Sequence, residues 1–241
     1  MDDIPSAPSD DDFVAPTTDR WQTILPADHP AGAAKPPYRY TYPARLLDGR
    51  VLELPLRRLP DGERAVASLI ANHASFTVAA ALADTMASLA GDAEVVVGMP
   101  TLGLVFAPLV AERLGHPNYI PLGYSQKFWY REALSEPVRS VTTPGAGKRV
   151  FIDPNLLPRL EGRRVVLVDD AVSSGTTMVA VMRLLARLGA RPQKIVVAMR
   201  QGVLWRAALK ADAALVTGVF AGPLFRRVPG GWAPIEGTMD A

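Results

Sequence analysis

The chain has 241 residues, 49% of them hydrophobic and 21% charged, with a formal net charge of +2, which is ample for one domain with a sizeable core. It contains no cysteine, which excludes disulfides, zinc ribbons, iron–sulfur clusters and thiol nucleophiles. No apolar run reaches the roughly 18–20 residues of a membrane helix, and Asp2 and Asp3 stand where a secretory leader would carry cations, so a soluble, cytoplasmic protein without a membrane partner is expected.

Charge is uneven along the chain. Residues 1–37 carry seven Asp, no Glu, seven prolines and only Arg20 and Lys35 as cations. With no sustained apolar period, this composition predicts a disordered acidic, Pro-rich tail over 1–37. Trp21, Ile24 and Leu25 are available to pin its end onto a domain covering 38–241. That remainder holds 24 basic and 17 acidic residues, a balance that suits anionic ligands but decides nothing alone.

Tyr38–Tyr42 alternates and, with the Asp48-Gly49 turn and Val51–Leu54, reads as a hairpin. Residues 63–90, rich in Ala, Leu and Met, read as a long helix closed by Gly91. Glu94–Gly98 is a β-branched run of the kind found in buried parallel strands. Leu102–Leu114 reads as a helix stopped by Gly115, and Tyr119–Leu122 as a strand. Residues 123–163 mix Gly, Ser, Pro and charge with Phe128, Trp129 and Tyr130, the composition of a lid or binding loop. Val165–Val168 then reads as a strand, Thr176–Leu188 as a helix closed by Gly189, and Ile195–Met199 as a strand. Strands alternating with helices predict βαβ units and a mostly parallel sheet of the α/β class.

Chemistry concentrates in Val165-Val166-Leu167-Val168-Asp169-Asp170-Ala171-Val172-Ser173-Ser174-Gly175-Thr176-Thr177. A buried strand delivers two adjacent carboxylates to its carboxyl end, where parallel sheets bind ligands. Ser173, Ser174, Gly175, Thr176 and Thr177 then form a small-residue loop opening a helix. Backbone N–H groups, hydroxyls and the positive end of the helix dipole together make a phosphate cradle. Carboxylates beside a phosphate suggest ribose hydroxyls, a magnesium ion, or both. The bland alternative is a solvated strand end followed by an ordinary helix cap.

This segment resembles the phosphoribosyl-pyrophosphate (PRPP) signature of type I phosphoribosyltransferases. The order of neighbouring pieces is similar to that of xanthine phosphoribosyltransferase and related purine transferases, over roughly residues 65–205. Asn72-His73 resembles that family's Asn-His pair, and Pro100-Thr101-Leu102-Gly103 after Met99 its pyrophosphate loop. Lys127 stands where the family has an Arg-Lys pair, and Ser140-Val141-Thr142-Thr143 resembles its Ser-Phe-Thr-Lys segment. Arg200 falls where a base-contacting Lys is expected. Gln126, Thr143 and Arg200 depart from the pattern, and Arg does not simply replace Lys at a specific contact.

The resemblance implies a mostly parallel central sheet flanked by helices, with a small hood or hairpin region. It implies transfer of a 5-phosphoribosyl group from PRPP to a nucleobase, expected to be a purine, as in nucleotide salvage. Asp169, Asp170 and Lys127 would be catalytic, with Mg2+ on or near the two carboxylates. Ser173–Thr177 would hold the 5′-phosphate, and Pro100–Gly103 with Lys127 the pyrophosphate. Asn72 and Arg200 would contact the base. A homodimer is expected. The alternative on the same fold is a non-catalytic PRPP-sensing regulator. Its DNA-binding form is disfavoured because an acidic arm repels phosphates, so no nucleic-acid partner is expected. Gly145-Ala146-Gly147-Lys148 is not a Walker loop, since Arg149 stands where Ser or Thr would hold magnesium. Lys148 and Arg149 receive no role.

Overall fold

The computed structural model describes residues 19–138 and 148–240. In chain order, strands β1 (Thr41–Arg45), β2 (Val51–Arg58) and β3 (Arg64–Ala67) precede helix α1 (Phe76–Ala90). Then come β4 (Val95–Gly98), α2 (Gly103–Arg113), β5 (Ile120–Pro121), β6 (Ser135–Pro137) and β7 (Arg149–Phe151). The chain continues through β8 (Val165–Val172), α3 (Thr176–Arg187), β9 (Pro192–Gln201), α4 (Leu204–Leu209), β10 (Val216–Gly222), β11 (Leu224–Val228) and β12 (Gly231–Pro234).

A five-stranded parallel sheet in the order β10-β9-β8-β4-β5 forms the centre. Its strands are short apolar runs because both faces are covered. Along β8 the side chains alternate. Val166 and Val168 join the core layer under α1 and α2, while Val165 and Leu167 join the layer under α3. Each such residue, fully buried, contributes roughly 1.5–3 kcal/mol of transfer free energy, so this strand's position is strongly determined. That matters because its last residues carry the acidic pair. The strand runs on to Val172, four residues past the expected end at Val168.

Helix α1 starts where Ser75 Oγ accepts the Val78 N–H (3.2 Å) and stops at Gly91, whose φ is +70°. Val78, Leu82 and Met86 recur at four-residue spacing on its buried face. The helix expected from residue 63 therefore begins at Phe76. Arg64–Ala67 is a strand instead, with Ala65 and Ala67 buried on alternate positions and paired with both β2 and β11. Sheet pairing overrides the helix preference of an Ala-rich stretch.

The expected hairpin is present as β1 and β2, but it is part of a second, antiparallel five-stranded sheet ordered β1-β2-β3-β11-β12. This sheet stands at the carboxyl ends of β9 and β10. Strand β10 leads directly into β11, and the Gln201 amide of β9 donates to the Ala67 carbonyl (2.8 Å). The hood is thus larger than a hairpin and recruits strands from far along the chain.

The expected boundary at residue 37 is corrected for the described part of the tail. Trp21 is 5% exposed and its indole N–H donates to the Ser68 carbonyl at 2.9 Å. Leu25 and Val51 exchange both backbone hydrogen bonds. Burying an indole and pairing a strand edge outweigh the disordering influence of nearby prolines. Residues 1–18 lie outside the described residues. Among the described residues, no helix is long and apolar enough to cross a membrane.

Candidate functional site

Strand β8 carries Asp169 and Asp170 to the carboxyl end of the central sheet, with Asp169 in register with Val197 and Val172 with Arg200 on β9. Asp169 is 8% exposed and Asp170 is half-buried. The Asp170 N–H donates to Asp169 Oδ1 at 2.9 Å, and the Gly103 N–H also donates to the Asp169 carboxylate. Burial pushes the Asp169 carboxyl well above the usual carboxylate range, and the adjacent Asp170 charge adds to the rise. Asp170 is raised as well, by burial, with a bond to Asp169 pulling the other way. Neither carboxylate has an Arg or Lys ion-pair partner among the described residues. Two desolvated acids side by side without a cation are costly, and that is the usual signature of a binding or catalytic site.

The backbone turns immediately after Val172. Gly175 sits at φ +77°, where a side chain is strained, and an added Cβ would lie 3.1 Å from Ala208 Cβ and 3.2 Å from Trp205 Cα of α4. Helix α3 begins at Thr176, and Ser174 Oγ and Thr176 Oγ1 are 3.0 Å apart. Asp169 and residues 171–178 line a cavity of about 190 Å³ at this helix N-terminus. A concavity of small residues and hydroxyls at a dipole's positive end suits a phosphate, and it opens directly beside the acidic pair.

The profile described as "Phosphoribosyl transferase domain" matches residues 66–217, more than half of the chain. The chain belongs to the phosphoribosyltransferase family. It is 35% identical over 105 residues to adenine phosphoribosyltransferase of Novosphingobium aromaticivorans, covering 42% of this chain and 53% of that protein. It is 32% identical over 138 residues to adenine phosphoribosyltransferase of Mycobacterium avium, covering 56% and 73%. With amidophosphoribosyltransferase 3 of Arabidopsis thaliana it shares 32% identity over 100 residues, 42% of this chain and only 18% of the relative. The chain thus spans a fifth to about half the length of two of these relatives. Adenine phosphoribosyltransferase from Thermoanaerobacter pseudethanolicus superposes with a TM-score of 0.50 at 20% identity, over 60% of this chain and 81% of the other. The Giardia lamblia enzyme complexed with 9-deazaadenine does so with a TM-score of 0.50 at 19% identity, over 60% and 80%. These two likenesses establish the fold.

Within this chain the loop between β4 and α2 lies against β8. The Met99 N–H donates to the Val168 carbonyl at 2.9 Å, and a Cβ on Gly103 would come within 2.7 Å of Asp169 Oδ1. Only glycine fits there. Pro100 and Gly103 are buried, Leu102 packs on the core and Thr101 is exposed; the Pro100–Thr101 peptide is cis. Pro100–Gly103 were expected to hold pyrophosphate, and of these the Gly103 N–H donates instead to the Asp169 carboxylate.

Other expected residues are placed differently. Lys127 is exposed, and among the described residues no hydrogen bond or ion pair joins it to Asp169 or Asp170, while its carbonyl accepts the Tyr130 N–H. Asn72 is exposed in a short 3-10 turn (Ala71–His73) ahead of α1 rather than within a helix, while the His73 ring meets Trp21 edge-on. Arg200 donates to Asp240 Oδ2 at 2.6 Å, and Arg206 of α4 takes the other oxygen. The base contact expected of Arg200 therefore finds no support in its contacts, since a buried carboxylate is a stronger partner than a neutral base. Ser140–Thr143 lies outside the described residues.

Sequence reasoning passed over Tyr124. Its hydroxyl bonds to Thr177, and its phenol is raised by burial and by the Asp169 and Asp170 charges, with the Thr177 bond acting against them. Asp240 was passed over too. No spacing marks either residue; only the return of the chain to the site reveals them.

Proposed function

We propose that this phosphoribosyltransferase moves the 5-phosphoribosyl group of PRPP onto a nitrogen of a purine-type nucleobase, releasing pyrophosphate and forming a nucleoside 5′-monophosphate. The observation that carries the reading is the unpaired acidic couple Asp169-Asp170 opening onto the phosphate-sized cradle at Ser173–Thr177. The matched adenine transferases support a purine as acceptor.

In this reading Ser173–Thr177 hold the 5′-phosphate, contributing binding energy and orientation remote from the reacting carbon. Asp169 and Asp170 accept the ribose hydroxyls and favour positive charge on the ring. The bond from C1′ to pyrophosphate oxygen breaks, its electron pair leaves with pyrophosphate, and C1′ gains oxocarbenium character. A base nitrogen then forms the new bond to C1′, and its proton passes to solvent. Lys127 and the exposed Thr101 would meet the pyrophosphate.

Magnesium fits these residues. Two adjacent carboxylates, both raised by burial and Asp169 further by the Asp170 charge, gain from a hard cation. Among the described residues no cluster of three or more His, Asp or Glu forms a closed cage, and magnesium commonly takes only one or two carboxylates together with substrate phosphates. When bound, it would neutralise charge on the leaving pyrophosphate. A homodimer and a cytoplasmic location belong to the same proposal.

The test is pyrophosphate release from PRPP and magnesium with each purine and pyrimidine supplied separately. Release that depends on one base, with matching nucleotide formed, supports the reading and names the acceptor. PRPP binding without release for any base would move it to a PRPP-sensing regulator. Absence of PRPP binding would overturn both.

A further inference from the structure

The cradle has a cationic neighbour that its own motif does not supply. Lys148 Nζ lies 5.3 Å from the centre of the Tyr124 ring, and the Tyr124 hydroxyl bonds Thr177 in the first turn of α3. Both residues are mounted beside strand β7. Gly123, next to Tyr124, exchanges both backbone hydrogen bonds with Phe151, at 3.1 and 2.8 Å, and the Lys148 carbonyl accepts the Val138 N–H at 2.7 Å.

The β6–β7 ribbon is in turn fixed to the helix that carries the cradle. Glu136 of β6 is buried and paired with Arg187 at the far end of α3, and Arg187 also donates to the Ser135 carbonyl at 2.7 Å. Arg149 Nε adds a bond to Ser135 Oγ at 2.9 Å. Lys148 is therefore held in a set position relative to Ser173–Thr177 while its side chain remains exposed. Among the described residues it has no carboxylate partner. An exposed lysine held over a half-buried ring by a cation–π contact alone has only a modest attraction to keep it there, so it is available to an anion arriving at the cradle.

We propose that Lys148, seated over Tyr124, is the cation that completes the phosphate cradle and pairs with the phosphate of a phosphoribosyl ligand. The proposal rests on the phosphoribosyltransferase reading and adds one more residue to that site. The two lysines thereby divide the ligand between them. Lys148 serves the phosphate at Thr177, whereas Lys127 is assigned to the pyrophosphate side.

Calorimetric titration of ribose 5-phosphate and, separately, of pyrophosphate into the full chain tests this, with thermal melts confirming that each variant is folded. Lys148→Gln should weaken ribose 5-phosphate binding roughly tenfold or more, as expected for losing a charge-assisted contact, and leave pyrophosphate binding within about twofold. Lys148→Arg should restore most of the loss. Lys127→Gln should show the reverse preference between the two ligands. Unchanged ribose 5-phosphate binding in Lys148→Gln overturns the proposal and leaves the functional reading standing, provided the wild type binds. A loss confined to pyrophosphate overturns it as well. A wild type that binds neither ribose 5-phosphate nor PRPP removes the functional reading and this proposal together.

Discussion

Asp169 and Asp240 are both nearly withdrawn from water, at 8% and 3% exposure, yet their surroundings are opposite. Asp240 is enclosed by Arg200 on β9 and Arg206 on α4, and the Arg206 guanidinium also lies 4.8 Å from the Trp205 ring centre. Asp169 has a second carboxylate beside it and backbone N–H groups as donors. A buried acid with two cations ties elements together; here the 235–240 segment is tied to β9 and α4. A buried acid without a cation is held ready for something that arrives from outside.

Replacing both Asp169 and Asp170 by Asn should separate the two roles most sharply. Turnover of PRPP should fall by at least roughly 10²–10³-fold, the scale of losing preorganised transition-state stabilisation, while circular dichroism and melting show an intact fold. Wild-type turnover in this variant would remove the mechanism. Asp240→Ala should do the opposite. Removing the buried carboxylate that Arg200 and Arg206 share should cost about 2–4 kcal/mol, below the full range for a broken buried pair because Arg206 is half exposed and Arg200 only partly buried. That corresponds to a melting temperature lower by roughly 4–16 °C. An unchanged melting curve would mean that the clasp contributes little.

Gly175→Val tests the wall between the cradle and α4. The positive φ and the 3.1 Å approach of Ala208 should add strain of about 1–3 kcal/mol, read as weaker ribose 5-phosphate binding in calorimetry. The smallest effect is on stability. Asp169 is raised in the folded protein, so ionising it opposes folding, and that cost grows as pH rises through its folded value. Asp169→Asn has no such cost. In metal-free buffer its melting temperature should therefore exceed the wild type's above neutral pH, by about 2–4 °C for each kcal/mol recovered, with the gap closing as pH falls. A gap that widens at low pH would contradict the assigned direction.

Four strands of the central sheet were legible: β4, β8 and β9 are built on β-branched runs bounded by helix signals, and β5 was read at Tyr119–Leu122, whereas β10 (Val216–Gly222) went unread. Val165–Val168 needed only local reading, and the acidic pair and cradle follow it within nine residues. The antiparallel sheet was not. Ala65 pairs with Phe225 and Arg58, and nothing local in Arg64–Ala67 announces partners so distant. The same distance hid Tyr124 and Asp240, which reach the site through tertiary contacts. Helix α2 and its loop were placed correctly, but not the commitment of the Gly103 N–H to Asp169, because a hydrogen bond between loop and strand leaves no trace in spacing.

The pairing of β3 with β11 also bears on how the protein is made. Arg64 and Arg226 lie opposite one another in adjacent strands, about 160 residues apart in sequence. Closing so long a loop costs chain entropy before any contact repays it, and such non-local pairings form late. As the chain leaves the ribosome, β4, β8 and the cradle are available to fold well before β11 and β12 emerge. The acidic pair is thus formed first, and the sheet beside it is completed only by the last strands. During that interval β3 presents an unpaired edge, and aggregation of nascent or refolding chains should begin there.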